Sequence, residues 1–194
     1  MYFCTYGKEN QTAPAMQPYF SNIFFNIILI GMAGVGKSTA GHVLAQICDK
    51  KFIDTDELIE KQVGMGLQEY LDQVGIDAFQ RLEEKTLLAI RPQGLVVATG
   101  GSAIYSEAGM AHLQTTGVIV LLEARLATLE ARVNNQDTRG LINPEGGSFR
   151  DLYLARRPLY RKWAGLRIGT DTGSPEAIAR KIFDRLPDTV LPST

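Results

Sequence analysis

The stretch Gly31 to Ser38, reading GMAGVGKS, matches the pattern G-x-x-x-x-G-K-[ST] and runs on into Thr39. Such a loop works by aiming backbone N–H groups into a concave anion site at the start of a helix. Gly34, Val35, Gly36, Lys37, Ser38 and Thr39 are its phosphate-facing members. The glycines let the main chain wrap closely around a β-phosphate, Lys37 reaches the β- and γ-phosphates, and the Ser38 hydroxyl ligates Mg²⁺. These residues call for ATP and magnesium. They name no reaction.

Three further segments narrow the chemistry. Asp54 and Asp56 stand two residues apart in FIDTDELIE, where a short apolar run gives way to a helical pattern. At the carboxyl end of a strand, Asp54 could hold Mg²⁺ through water and Asp56 could orient an acceptor hydroxyl; either could instead cap the following helix. Thr99-Gly100-Gly101-Ser102 ends another apolar run. Glycine there lets a substrate lie against backbone N–H groups, although a tight turn would use the same residues. From Phe149 to Trp163 the apolar residues form a helical stripe that includes Arg156 but not Arg157. A guanidinium on an inward face needs an anion, either a buried acid or a substrate carboxylate. His42, His112 and Cys48 stand apart from any ligand or redox pattern.

The elements that must position these groups alternate short apolar runs with helical periodicity, the pattern of an α/β fold around a parallel sheet. The expected strands are 26–30, 51–53, 95–98, 118–122 and 166–168. Helices are expected over 37–49, 56–63, 67–91, 107–115, 124–134, 148–165 and 175–186, with a break near Gly75 and a bend at Pro158. Residues 134–148, rich in glycine and poor in apolar side chains, are too long for an ordinary loop and read as a mobile lid carrying Arg139. The domain that carries the phosphate loop is expected over 23–188, with a poorly ordered extension over 1–22 and a tail over 189–194.

Composition excludes other classes. The 194 residues are 45% hydrophobic and 21% charged, with 20 Lys plus Arg against 21 Asp plus Glu. That balance lacks the basic footprint of a nucleic-acid binder and the bias of a disordered chain. The longest apolar run, Ile23 to Ile30, is broken by Asn26 and is far shorter than the roughly 20 residues of a membrane span. Two cysteines without metal or disulfide spacing suit a reducing, cytoplasmic setting. No obligate protein partner is evident.

Taken together, the loop Gly31 to Thr39, Asp54-Thr-Asp56 with Ile59-Glu60, Phe79 with Glu83, Thr99-Gly100-Gly101, Arg139 and Arg156-x-Pro-Leu-Tyr160 resemble the shikimate kinase family over roughly residues 26 to 186. The resemblance implies a five-stranded parallel sheet like that of nucleoside monophosphate kinases and phosphorylation of a hydroxyl of shikimate. By it, Lys37, Asp56 and Arg139 serve catalysis, while Arg132 and Arg139 lie near the nucleotide. Asp56, Phe79, Gln80, Gly100, Gly101 and Arg156 contact the acceptor, and Ser38 and Asp54 hold the metal. Other readings are a related kinase for another polyhydroxy or hydroxy-acid metabolite, a nucleoside monophosphate kinase, and a catalytically impaired nucleotide-binding regulatory module.

Three residues depart from the family pattern. Gln80 occupies the place of an arginine that grips the substrate carboxylate, and loss of that charge-assisted contact costs about 1.5–3 kcal/mol. Arg81 is turned about 100° away by one helical step and is not a simple replacement. Ser102 replaces a third glycine, adding a hydroxyl near the pocket, and Gly140 replaces a proline after Arg139, which should loosen the lid.

Overall fold

Strand β1, Asn26–Ile30, is buried at every residue and pairs in parallel with a neighbour on each side, which is why its sequence shows no polar alternation. The computed structural model describes residues 25–133 and 147–187. Strands β2 (Lys51–Asp54), β3 (Leu95–Ala98), β4 (Gly117–Glu123) and β5 (Leu166–Gly169) complete one sheet in the order β2-β3-β1-β4-β5. All four pairings are parallel. The chain leaves β1 towards β2 and β3 on one side and reaches β4 and β5 on the other. The crevice at the carboxyl end of β1 is therefore the topological switch point where α/β sheets bind ligands.

Asn26, the polar interruption in the apolar run, is fully buried and fully engaged. Its Nδ2 donates to the Arg91 carbonyl (2.9 Å), and its Oδ1 accepts from the amides of Gln93 (3.2 Å) and Leu95 (2.9 Å). A buried amide satisfied this way holds the segment that enters β3.

Seven helices cover the sheet among the described residues: α1 (Lys37–Ile47), α2 (Thr55–Val63), α3 (Leu67–Ala89), α4 (Glu107–Thr116), α5 (Leu126–Val133), α6 (Phe149–Trp163) and α7 (Pro175–Phe183). Helix α1 packs on α7, and α3 packs on α2 and α4. The expected break at Gly75 is present, with φ 77 and ψ 169 inside α3. Helix α6 continues through Pro158, whose ring lies on the exposed side. Helix α5 starts two residues later than expected because its cap comes from far along the chain: Asp171 Oδ1 accepts from the Arg125 amide (2.9 Å) and the Thr128 hydroxyl (2.7 Å). Helix α6 ends early at Trp163, after which Ala164 is extended and the Gly165 amide donates to the Ile119 carbonyl.

His42 stacks on Phe52 at 4.0 Å between ring centroids, and His112 Nε2 donates to the Ile90 carbonyl beyond the end of α3 (2.8 Å). Cys48 is a free, buried thiol. The expected extension over 1–22, the tail over 189–194, and nearly all of the lid, Arg139 and Gly140 included, lie outside the described residues. Among the described residues, no helix is long and apolar enough to cross a membrane.

Candidate active site

The loop after β1 reaches α1 through Gly36, a left-handed N-cap residue (φ 95) that offers no side chain to the first helical amides. Those amides face a cleft of about 400 Å³ bordered by residues 34–40 and, across it, by Arg132, Gly173, Pro175 and Ile178. Gly34 is irreplaceable on two counts: its φ is 75, and a Cβ there would come within 2.9 Å of Val133 Cγ2. The Lys37 ammonium donates to the carbonyls of Gly31 (2.8 Å) and Met32 (3.1 Å). Burial lowers its pKa, against the opposing pull of the Asp56 and Asp54 carboxylates. Arg132 is fixed by donating to the Thr170 carbonyl (2.7 Å), so helix α5 and the segment before α7 close the cleft together.

Asp54 ends β2 and does two things at once. Its Oδ1 accepts from the Asp56 amide (3.0 Å), capping α2, and its Oδ2 accepts from the Ser38 hydroxyl (2.7 Å). Capping, one of the two sequence alternatives, is therefore present, and the second oxygen of the same carboxylate is tied to the phosphate loop. Ser38 and Asp54 form a pair of hard oxygen donors suited to Mg²⁺, which typically takes one or two protein oxygens and leaves its other positions to water and phosphate. Among the described residues, no group of three or more His, Cys, Asp or Glu side chains forms a metal cluster. Asp56 sits one step into α2, where burial and the neighbouring Asp54 charge push its pKa up to about 6.

The turn after β3 gathers a second group of side chains. The Gly100 amide donates to the buried Thr55 hydroxyl (3.0 Å), locking this turn to the start of α2. A Cβ on Gly100 would lie 2.6 Å from both Asp56 Oδ1 and Glu83 Oε1, and one on Gly101 would lie 2.9 Å from an Arg156 Nη. Arg156 is 1% exposed, on the inward stripe of α6 that its spacing indicated, while Arg157 is exposed. The Arg156 guanidinium lies over the Tyr105 ring at 5.4 Å. The Tyr160 hydroxyl donates to the Gly101 carbonyl (2.7 Å), and burial raises its pKa. Asp56, Gly100, Gly101 and Arg156, far apart in sequence, therefore meet in one place.

Gln80 lies half-buried at the edge of this group, in a cavity of about 270 Å³ bordered also by Arg81, Glu83, Glu84 and Tyr105. Arg81 reaches the same cavity because its long side chain spans the rotation between adjacent helical positions. Phe79 is core, buried with its ring 6.3 Å from that of Tyr70. The Ser102 hydroxyl, expected near the pocket, is buried and donates to Glu83 Oε1 (2.8 Å). Gly173, Pro175 and Ile178 were not foreseen as cleft residues. The only local signal was Ser174 before Pro175, which marks a helix start but not what the helix faces.

The match to known proteins agrees with this geometry. The family model for shikimate kinase matches residues 33–187. The shikimate kinase of Sulfurihydrogenibium sp. is 35% identical over 162 residues, covering 83% of this chain and 97% of that protein. That of Pasteurella multocida is 34% identical over 163 residues, covering 82% and 93%. The structure of Acinetobacter baumannii shikimate kinase in complex with shikimate superposes with a TM-score of 0.74 at 30% identity, covering 86% of this chain and 97% of that one. A phosphate-binding loop and a buried arginine set against a glycine turn at the same end of the sheet, with this similarity along the domain, establish that the chain belongs to the shikimate kinase family.

Proposed function

We propose that this protein transfers the γ-phosphoryl group of ATP to the 3-hydroxyl of shikimate, yielding ADP and shikimate 3-phosphate. One observation carries the reading: Asp54 accepts from Ser38 of the phosphate loop (2.7 Å) and from the amide of Asp56 (3.0 Å), whose Oδ1 a Cβ on Gly100 would meet at 2.6 Å. Phosphate-loop and acceptor-side residues are thus linked through one carboxylate.

The chain's own residues divide the work. The amides of residues 34–39 hold the phosphates, and Lys37 neutralises charge that spreads over the transferring group. Magnesium, when bound, offsets phosphate charge, and Ser38 with Asp54 would hold it. Asp56 accepts a hydrogen bond from the acceptor hydroxyl and orients it for in-line attack. Arg156 receives the shikimate carboxylate, with Gly100 and Gly101 allowing the ring to lie against the backbone. Arg132 borders the nucleotide. The reaction is assigned to the cytoplasm, a reading supported by two cysteines without disulfide or metal spacing.

The test is ADP release measured in a coupled assay with ATP, Mg²⁺ and shikimate. Shikimate-dependent turnover is expected, together with its loss in Lys37→Ala. ATP binding without shikimate-dependent ADP release at any acceptor concentration would overturn the assignment.

A further inference from the structure

Gln80 and Ser102 depart from the family pattern at positions 22 residues apart, and the structure joins them through one side chain. Glu83 follows Gln80 by three residues on α3, so the two share a helix face. It is 2% exposed and accepts the Ser102 hydroxyl at 2.8 Å. The same Oε1 closes on Gly100 alongside Asp56 Oδ1. On the next residue, Gly101, a Cβ would lie 2.9 Å from an Arg156 Nη, so Glu83 and Arg156 close on adjacent residues of one turn.

The charged and titratable groups around Glu83 come from every neighbouring element. Asp56 comes from α2, Tyr105 from the 3₁₀ turn after β3, and Arg156 and Tyr160 from α6. Asp77, Arg81 and Glu84 border the adjoining cavity from its own helix, as does the uncharged Gln80. Arg81 is exposed, so water screens its charge. Arg156 is the buried cation of the group, and it is also the residue assigned to the acceptor.

We propose that Ser102 and Glu83 form a specificity-determining pair: Glu83, oriented by the Ser102 hydroxyl, competes with the acceptor's carboxylate for the Arg156 guanidinium. An arginine at position 80 would give Glu83 a cation of its own; Gln80 leaves Arg156 to serve both carboxylates. Ser102 supplies the hydrogen bond that keeps Glu83 in place. The inference rests on the shikimate reading above and adds a determinant of acceptor affinity to it.

The charge state of Glu83 gives the pair a signature. Burial and the Asp56 charge push its pKa up to about 7, while the Ser102 hydroxyl and Arg156 pull the other way. Neutral Glu83 does not compete for Arg156; ionised Glu83 does. The acceptor carboxyl, with an ordinary pKa near 4, stays ionised above pH 6, as do free carboxyls generally.

The experiment measures KM for shikimate and for ATP separately between pH 6 and 8. In the parent enzyme the shikimate KM should rise by up to about tenfold across this range, the limit for one titrating proton, while the ATP KM stays within about twofold. Glu83→Gln keeps an acceptor for the Ser102 hydroxyl but cannot ionise, and should flatten the shikimate KM at its low-pH value. Ser102→Ala removes a bond that favours the charged form, and should move the midpoint to higher pH. A Glu83→Gln enzyme that keeps the parental rise overturns the proposal. Should that variant fail to fold, an unshifted midpoint in Ser102→Ala overturns it equally. A parent enzyme that phosphorylates no shikimate at any pH would refute the shikimate reading itself.

Discussion

Ser38 and Asp54 are joined by a 2.7 Å hydrogen bond that runs from the first turn of α1 to the last residue of β2, while the second Asp54 oxygen caps α2. One side chain thus links the phosphate loop to the helix that carries Asp56. Asp54→Asn separates its two tasks, because asparagine caps helices about as well as aspartate but carries no charge. Thermal stability should stay within about 0.5 kcal/mol, while the Mg²⁺ concentration needed for half-maximal activity rises at least tenfold. Thermal melts and a magnesium titration measure the two halves independently. A large stability loss with unchanged magnesium demand would reduce Asp54 to its capping role.

Asp56→Asn keeps size and hydrogen-bonding capacity but removes the carboxylate that orients the acceptor hydroxyl. A positioned acid–base group contributes roughly 10²- to 10⁴-fold, so kcat should fall by that order while the ATP KM changes little. Steady-state kinetics with each substrate varied in turn decides the matter. A parental kcat would remove Asp56 from the reaction.

Gly100→Ala places a methyl group 2.6 Å from two carboxylate oxygens, which must move apart. Overpacking of this kind costs about 1–3 kcal/mol. Both oxygens belong to the acceptor pocket, so the shikimate KM should rise more than the ATP KM. Chemical denaturation and paired KM measurements test this, and a variant as stable and as avid as the parent would contradict the packing described.

The buried Glu83 also makes stability depend on pH. Its pKa is raised from the unfolded value of 4.5 to about 7, so between these values the folded chain holds a proton that the unfolded chain has released. The contribution of Glu83 to stability is therefore greatest at low pH and declines as pH climbs through that window. Glu83→Gln should remove this decline and exceed the parent at pH 8 by on the order of 2–3 kcal/mol. Urea unfolding at pH 5 and pH 8 reads the difference directly, and identical slopes for both proteins would contradict it.

How much was legible in advance follows from the range of each interaction. The central strands β1, β3 and β4 announced themselves because residues buried on both faces must be apolar, the edge strands β2 and β5 offered only short, partly exposed runs, and each of the five was placed to within one residue at either end. The phosphate loop is a continuous stretch whose glycines answer to local backbone geometry. Arg156 could be placed inward because a helical stripe is a short-range pattern. By contrast, the Ser102–Glu83 bond joins residues 19 apart on different elements, and no periodicity reports it. The cleft-facing position of Gly173 and Pro175 depends on how α7 settles against α1, which only tertiary packing decides.

Asn26 has a consequence far from where it lies. By grasping the amides of Gln93 and Leu95 at the foot of the sheet, it sets where the third strand begins. Gly100 lies five residues beyond Leu95, about 16 Å along an extended chain. A slip of one residue at that anchor would carry Gly100 out from between the two acids, so an amide at the far end of the molecule acts as the ruler against which the substrate's seat is measured.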